Sequence, residues 1–374
     1  MTNARIVGAL RSLESAVLAR QGMALPLLAI AVVSAADLAA GRDHYIGPGM
    51  VVAPALAGIT TTWRRTLLVA VLGLVAQTAL APYNGVTQVR DWVLLTGQLA
   101  TYIVVSLVSA YIAWRRETGQ RAFTAITSVA EAAQRALLRP PGDRVGDVRL
   151  AVRYVSAADA AQIGGDLYSV LDTPHGVRAL IGDVRGKGLD AVQTSAVVLG
   201  AFREAAYDEG GLTCVAQRVE ASVQRHVVSG EFATALFAEF DGPGSVEFLH
   251  YGHVAPLRIT PDGTVTTLNP PDPWVPLGLG RLVKGTAVPW RSPLGGEDVL
   301  VLCTDGVIEA RSPVDGSFYP LAERVGALVA GLAQNLEEAV ERVYADLLRH
   351  AGGSLGDDVV LLLLAPARPP ARPV

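Results

Sequence analysis

The chain has 374 residues, 51% of them hydrophobic and only 18% charged, with a mean hydropathy of +0.35. That balance excludes a protein soluble along its whole length and predicts a membrane part joined to a globular part. The formal net charge of -4 gives no electrostatic case for nucleic-acid binding.

After a cytoplasmic N-terminal segment (1–22), the sequence predicts a transmembrane region, 23–114, of four helices over 23–40, 45–60, 66–83 and 92–114. A helix needs about 20 residues to cross ~30 Å of hydrocarbon, so the fourth stretch is comfortable and the second marginal. Arginines set the orientation. Arg5, Arg11 and Arg20 precede the first stretch, Arg64 and Arg65 separate the second and third, and Arg115, Arg116 and Arg121 follow the fourth. The excess of positive charge places both termini in the cytoplasm of a multi-pass protein of the cell membrane. Reading the first stretch as a cleaved signal peptide leaves the same C-terminal orientation. Asp37 falls near the outer end of that stretch, where it can reach water. No paired intramembrane charges mark a transport pathway, so an anchor or sensor is the expectation.

Residues 115–142 form a connector. Phe123, Ile126, Ala130, Ala133 and Leu137 recur at spacings of three and four, the seam of a short coiled coil through which a homodimer would form. Arg139-Pro140-Pro141-Gly142 ends that helix. From 143 to 365 short strand-like runs dominate, the clearest over 148–155, 177–184, 233–240, 298–304 and 358–364, with helices over 189–207, 213–228, 321–331 and 336–348. Glycine- and proline-bearing turns between strand pairs predict antiparallel hairpins and an α+β layered domain. The remaining residues, 366–374, read as a disordered tail. The cysteines, Cys214 and Cys303, lack metal-ligand spacing, and Cys303 inside an apolar run reads as a buried, reduced thiol.

Four aspartates punctuate this domain, each beside glycine and an apolar run: Asp166, Asp183, Asp305 and Asp357, the last followed directly by Asp358. Carboxylates gathered where strands leave a core repel one another unless a hard cation neutralises them, and oxygen-only ligands select Mg²⁺, Mn²⁺ or Ca²⁺. The run Gly182-Asp183-Val184-Arg185-Gly186-Lys187-Gly188 is no Walker loop, because its glycine spacing is short and no Ser or Thr follows the lysine.

The segments Ile163-Gly164-Gly165-Asp166-Leu167-Tyr168, Ile181-Gly182-Asp183-Val184-Arg185-Gly186-Lys187-Gly188, Phe232-Ala233-Thr234, Tyr251-Gly252-His253, Thr304-Asp305-Gly306 and Asp357-Asp358 resemble the PPM-type metal-dependent serine/threonine phosphatases, in their SpoIIE/RsbU-like bacterial branch. The resemblance implies an antiparallel β-sandwich flanked by helices with a site for two Mn²⁺ or Mg²⁺ ions, and hydrolysis of phosphoserine or phosphothreonine by two-metal activation of water. It implies Asp183 as bridging ligand with the Val184 carbonyl beside it, Asp305 and Asp357 on the second ion, and Asp166 as a ligand or a holder of water; Asp358 is kept alongside Asp357. Asp183 and Asp166 are the candidate catalytic residues. The implied substrate is a phosphorylated cytoplasmic regulator, an anti-sigma-factor antagonist of STAS type. The competing reading is a catalytically silent phosphatase-like sensor or scaffold. Ser169 departs from the acidic residue usual at that place in the family, and His250 and His253 read as structural histidines.

Overall fold

The computed structural model describes residues 22–40, 46–80, 89–156, 164–226, 230–242 and 244–367, with backbone alone at 89–95, 122–131 and 135. The N-terminal segment, the tail from 368 and Ala161 to Ile163 lie outside the described residues. The chain divides into two compact units, Met1–Phe123 and Thr124–Val374.

The first unit is helical. Among the described residues three helices are long and apolar enough to cross a membrane: α1 (Gly22–Ala40), α3 (Trp63–Leu80), and the Thr96–Arg121 portion of α4 (Val89–Leu137). The second predicted span is shorter than expected. It folds as α2 (Gly47–Thr60), a five-residue 3-10 turn continued by nine α-helical residues, reaching only ~20 Å at 1.5 Å per residue. Gly47-Pro48 starts it late and Thr61, in extended conformation, stops it. Asp37 does not face water as the sequence implied. It is buried, and its Oδ1 accepts the Ile46 N–H at 2.6 Å where α2 begins. At the other end Arg116 donates to the carbonyls of Ile59 and Thr61. Small residues bring the helices together: a Cβ on Gly58 would meet Ser109, and one on Gly73 would meet the Tyr102 hydroxyl. Large apolar side chains such as Leu28, Val32, Leu68, Val71, Leu107 and Val108 point outward, while Thr66 and Gln77 are buried. That is the reverse of a water-soluble bundle.

The second unit is a mixed α/β sandwich of two antiparallel sheets. One contains β1 (Arg144–Val145), β2 (Val148–Val155), β7 (Leu257–Ile259), β8 (Val265–Thr267), β10 (Val299–Cys303) and β11 (Val359–Pro366), in the order β1-β2-β11-β10-β7-β8. The other, ordered β3-β4-β5-β6-β9, contains β3 (Leu167–Thr173), β4 (Gly176–Val184), β5 (Ala233–Phe240), β6 (Ser245–Tyr251) and β9 (Trp290–Pro293). On the outer face of the β3–β9 sheet lie α5 (Leu189–Asp208) and α6 (Leu212–His226); on that of the other lie α8 (Leu321–Val329) and α9 (Leu336–His350).

The burial explains the sequence pattern. In β11, Val360, Leu362 and Leu364 join the core between the sheets, and Val359, Leu361 and Leu363 pack under α8 and α9. A strand buried on both faces needs apolar residues without alternation. The same holds for β10, where Leu300 and Leu302 face inward and Val299, Val301 and Cys303 face the helices. Burial pushes the Cys303 thiol up to about 12, so it stays protonated. Arg178 on β4, fully buried, binds Glu239 on β5 and donates from Nη1 to the Ala206 and Glu209 carbonyls, fastening the end of α5.

The last turns of α4 belong to this unit. Leu138 enters its core, Leu137 packs against Val192 of α5, and Gln134 Nε2 donates to the Gly164 carbonyl at 3.0 Å. Leu137, which the sequence assigned to a coiled-coil seam, is partly buried against its own chain. The side chains of Phe123, Ile126 and Ala130 lie outside the described residues.

Candidate metal centre and phosphatase site

Strand register gathers the aspartates. Leu167 pairs with Gly182, so Asp166, just before β3, arrives beside Asp183 near the end of β4. Cys303 pairs with Leu361, so Asp305, after β10, stands at the same end as Asp357 and Asp358, just before β11. Asp305 opens α7 (Asp305–Ile308). One carboxylate oxygen each of Asp166, Asp183 and Asp305 lies within 4.8 Å of the others. Asp357 and Asp358 adjoin this trio, close enough that both charges act on Asp183.

The adjacent pair is divided by environment. Asp358 is 3% exposed, and its carboxylate accepts from Tyr154 Oη at 3.0 Å and Ser156 Oγ at 3.4 Å. The Asp357 side chain is half exposed, and its Oδ1 meets Lys187 Nζ at 2.9 Å. The Val184 N–H donates to the Gly165 carbonyl at 3.2 Å, and its own carbonyl stands against Gly165.

Close approach explains the glycines. A Cβ on Gly164 would lie 1.7 Å from Asp358 Oδ2, and one on Gly165 would lie 2.3 Å from the Val184 oxygen and 2.8 Å from Asp183 Oδ1. Any side chain at either place would drive the carboxylates apart.

Residues from other strands hold the aspartates. Thr304 Oγ1 donates to Asp166 Oδ2 at 2.7 Å and accepts the Val360 N–H at 3.0 Å, tying the two sheets together beneath the site. Thr234 Oγ1 accepts the Asp183 N–H at 3.2 Å, and lies 3.3 Å from the Asp183 carbonyl and 2.9 Å from His253 Nδ1. His253 is enclosed, and burial, with His250 beside it, pushes it down to about 3, so its ring is neutral. The imidazole is thus a support under Asp183. Sequence reasoning missed Thr234, Thr304 and Tyr154. A threonine or tyrosine in a strand is an ordinary sheet former, and only the register reveals what it touches.

The electrostatics show unneutralised charge. Burial, then the charge of Asp305, pushes Asp183 up to about 7. Burial and the Asp183 charge raise Asp166 well above the carboxylate range, and burial with Glu309 raises Asp305. Groups that hold protons this tightly are short of positive charge. The donor set is oxygen alone, which fits a hard divalent cation of the Mg²⁺ or Mn²⁺ kind.

A two-sheet antiparallel sandwich with paired outer helices and a carboxylate cluster at one end defines the PP2C class of phosphatase fold. The structure of the RsbU and RsbW domains of a Mycobacterium tuberculosis protein superposes with a TM-score of 0.52 at 24% identity, over 60% of this chain and 62% of that one. The SiaA-PP2C domain of Pseudomonas aeruginosa gives 0.54 at 17% identity, over 67% of this chain and 98% of the domain. The present chain therefore spans about three fifths of the RsbU–RsbW structure. The family model of stage II sporulation protein E (SpoIIE) matches residues 173–366, more than half of the sequence, and the chain belongs to the SpoIIE family.

Proposed function

We propose that the protein is a membrane-anchored, metal-dependent protein serine/threonine phosphatase acting in the cytoplasm. The observation that carries this reading is the convergence of Asp166, Asp183 and Asp305 on glycine-built turns at the end of the sandwich, in a chain of this family. Asp183 and Asp305 are assigned as ligands between which the ions are shared, with Asp357 completing the set because it faces solvent. Asp358, bonded to Tyr154 and Ser156, is assigned to holding that corner in place. Val184 would add its carbonyl next to Asp183, and Asp166, fixed by Thr304, would hold and orient water. Bound Mn²⁺ or Mg²⁺ would supply Lewis acidity for water and for the phosphoryl oxygens. Water oriented by Asp166 would stand in line with the phosphorus; a new P–O bond to that water would form as the ester P–O bond breaks, and the proton the water gives up would end on the departing serine or threonine oxygen.

The substrate we assign is a phosphorylated regulatory protein, an antagonist of an anti-sigma factor. The likeness to a protein with RsbU and RsbW domains supports a regulatory partner of that class. The outward apolar surface of the helical unit supports a membrane setting. Arg115, Arg116 and Arg121 at the C-terminal end of the last apolar helical portion, on the side of the globular unit in sequence, support a cytoplasmic catalytic domain, whether or not α2 crosses. The domain boundaries follow the same reading, with the membrane region at 23–114, the connector at 115–142 and the phosphatase at 143–365.

The full-length protein in detergent micelles tests the proposal with p-nitrophenyl phosphate. Hydrolysis should require Mn²⁺ or Mg²⁺, cease in EDTA, and fall by a factor of about 10³ or more in Asp183→Asn. Turnover that persists without metal, or survives that substitution, would refute the mechanism.

A further inference from the structure

The site described so far is almost wholly negative, yet its substrate would be a dianionic phosphate ester. Two basic residues stand in the turn that leaves β4, and the structure separates their roles. Arg185 lies over the Phe232 ring, 5.3 Å from its centroid, with Nη1 3.5 Å from the Gly230 carbonyl. It is occupied away from the carboxylates. Lys187 reaches into the cluster and sets its ammonium 2.9 Å from Asp357 Oδ1.

The setting of Lys187 is that of a movable arm. It sits between Gly186 at φ +98° and Gly188 at φ +94°, conformations open to glycine. A Cβ at either glycine would meet nothing within 4 Å, so the turn stands clear at the mouth of the site. The lysine side chain is 36% exposed and its carboxylate partner 51%. Water can therefore enter this pair, and a half-exposed ion pair is weak enough to exchange.

We propose that Lys187 is a phosphoryl-binding residue: it rests on Asp357 in the ion-free protein and turns to an oxygen of the substrate phosphoryl group when a cation takes its place on that carboxylate. The lysine then has two successive partners of like chemistry, a carboxylate oxygen and a phosphoryl oxygen, within reach of one four-carbon stem. Among the described residues it is the basic side chain in direct contact with the aspartate cluster. The inference rests on the phosphatase reading and adds the group that receives the substrate.

The test uses full-length protein in detergent, with Mn²⁺ and inorganic phosphate as calorimetric probes and p-nitrophenyl phosphate for turnover. In Lys187→Gln, phosphate binding to the Mn²⁺-loaded protein should weaken about tenfold and KM should rise by a similar factor, the loss expected for one charge-assisted hydrogen bond. The kcat should change less than about threefold, because binding lost equally from ground and transition states appears in KM. Mn²⁺ affinity should hold or tighten, since the ion no longer displaces the ammonium, and Lys187→Arg should recover most of the phosphate affinity. Unchanged phosphate binding together with weakened Mn²⁺ binding would overturn the proposal and leave Lys187 a prop for Asp357. Phosphate binding that depends on Lys187 in a protein without turnover would preserve the inference and refute the phosphatase reading instead.

Discussion

Asp183 combines the properties that make the site work. Its backbone is pinned by Thr234, its carboxylate faces Asp166 and Asp305, and folding lifts its pKa from the ordinary 3.8 to about 7, first through burial and then through Asp305. A carboxyl raised on folding binds its proton more tightly in the native state. The unfolded chain releases that proton near pH 4, so the ion-free fold loses stability as pH climbs from about 4 to about 7, and the loss is complete above that. Asp183→Asn removes the ionisation. In EDTA the variant should melt with the wild type near pH 3 and on the order of 5 °C or more above it at pH 8. Adding Mn²⁺ at pH 8 should reverse the order, because only the wild type gains from the ion. Parallel melting curves across this pH range would show that the carboxylates do not strain the ion-free site. Much of this was legible in the sequence, since each aspartate stood between a glycine and an apolar run. Tyr154, Thr234 and Thr304 were not, because their value comes from neighbours brought up by other strands.

At the scale of elements, legibility followed burial. The strands β10 and β11 announced themselves because both of their faces are covered. The short β7 and the edge strand β9 did not. Trp290-Arg291-Ser292-Pro293 carries no apolar period, and its arginine turns outward to Asp241 and Glu247. The helices of the sandwich were predicted nearly to their ends, whereas α2 begins only at Gly47, with the apolar Ile46 as its cap. The joint between β4, β5 and α5 depends on one pair, Arg178 with Glu239. Arg178→Met leaves a carboxylate in the interior with no counter-charge and frees two carbonyls at the end of α5. Urea unfolding of the globular unit within the full chain should show a loss of about 3–5 kcal/mol. A second change, Glu239→Leu, should restore most of it. Mn²⁺ affinity of the folded protein should not move in either variant, as the pair lies on the α5 end of the strands and away from the carboxylates. A matching fall in Mn²⁺ affinity would mean that α5 positions Asp183 as well.

The whole molecule joins two units with opposite kinds of surface in one chain. The first unit hides Thr66, Gln77 and Asp37 and shows leucine and valine, while the second buries its leucines and shows charge. Composition foretold that division; the three long helices and the short α2 required the structure, because Gly47-Pro48 sets where helix can begin. The globular unit also contains its own chemical clock. Cys214 lies on the surface, while Cys303 is enclosed with its thiol fully protonated. A disulfide reagent should therefore modify one sulfur per native chain at once. The second should react on the order of a thousandfold more slowly or less, at the rate at which β10 parts from β7 and β11. Cys303 lies two residues before Asp305, so a divalent ion that closes the carboxylate cluster should slow that second reaction further. Two sulfurs reacting at equal rates would mean that the sandwich breathes freely at its carboxylate end. Otherwise the timing of one hidden atom reads out, without any substrate, how firmly the carboxylate end of the sandwich is shut.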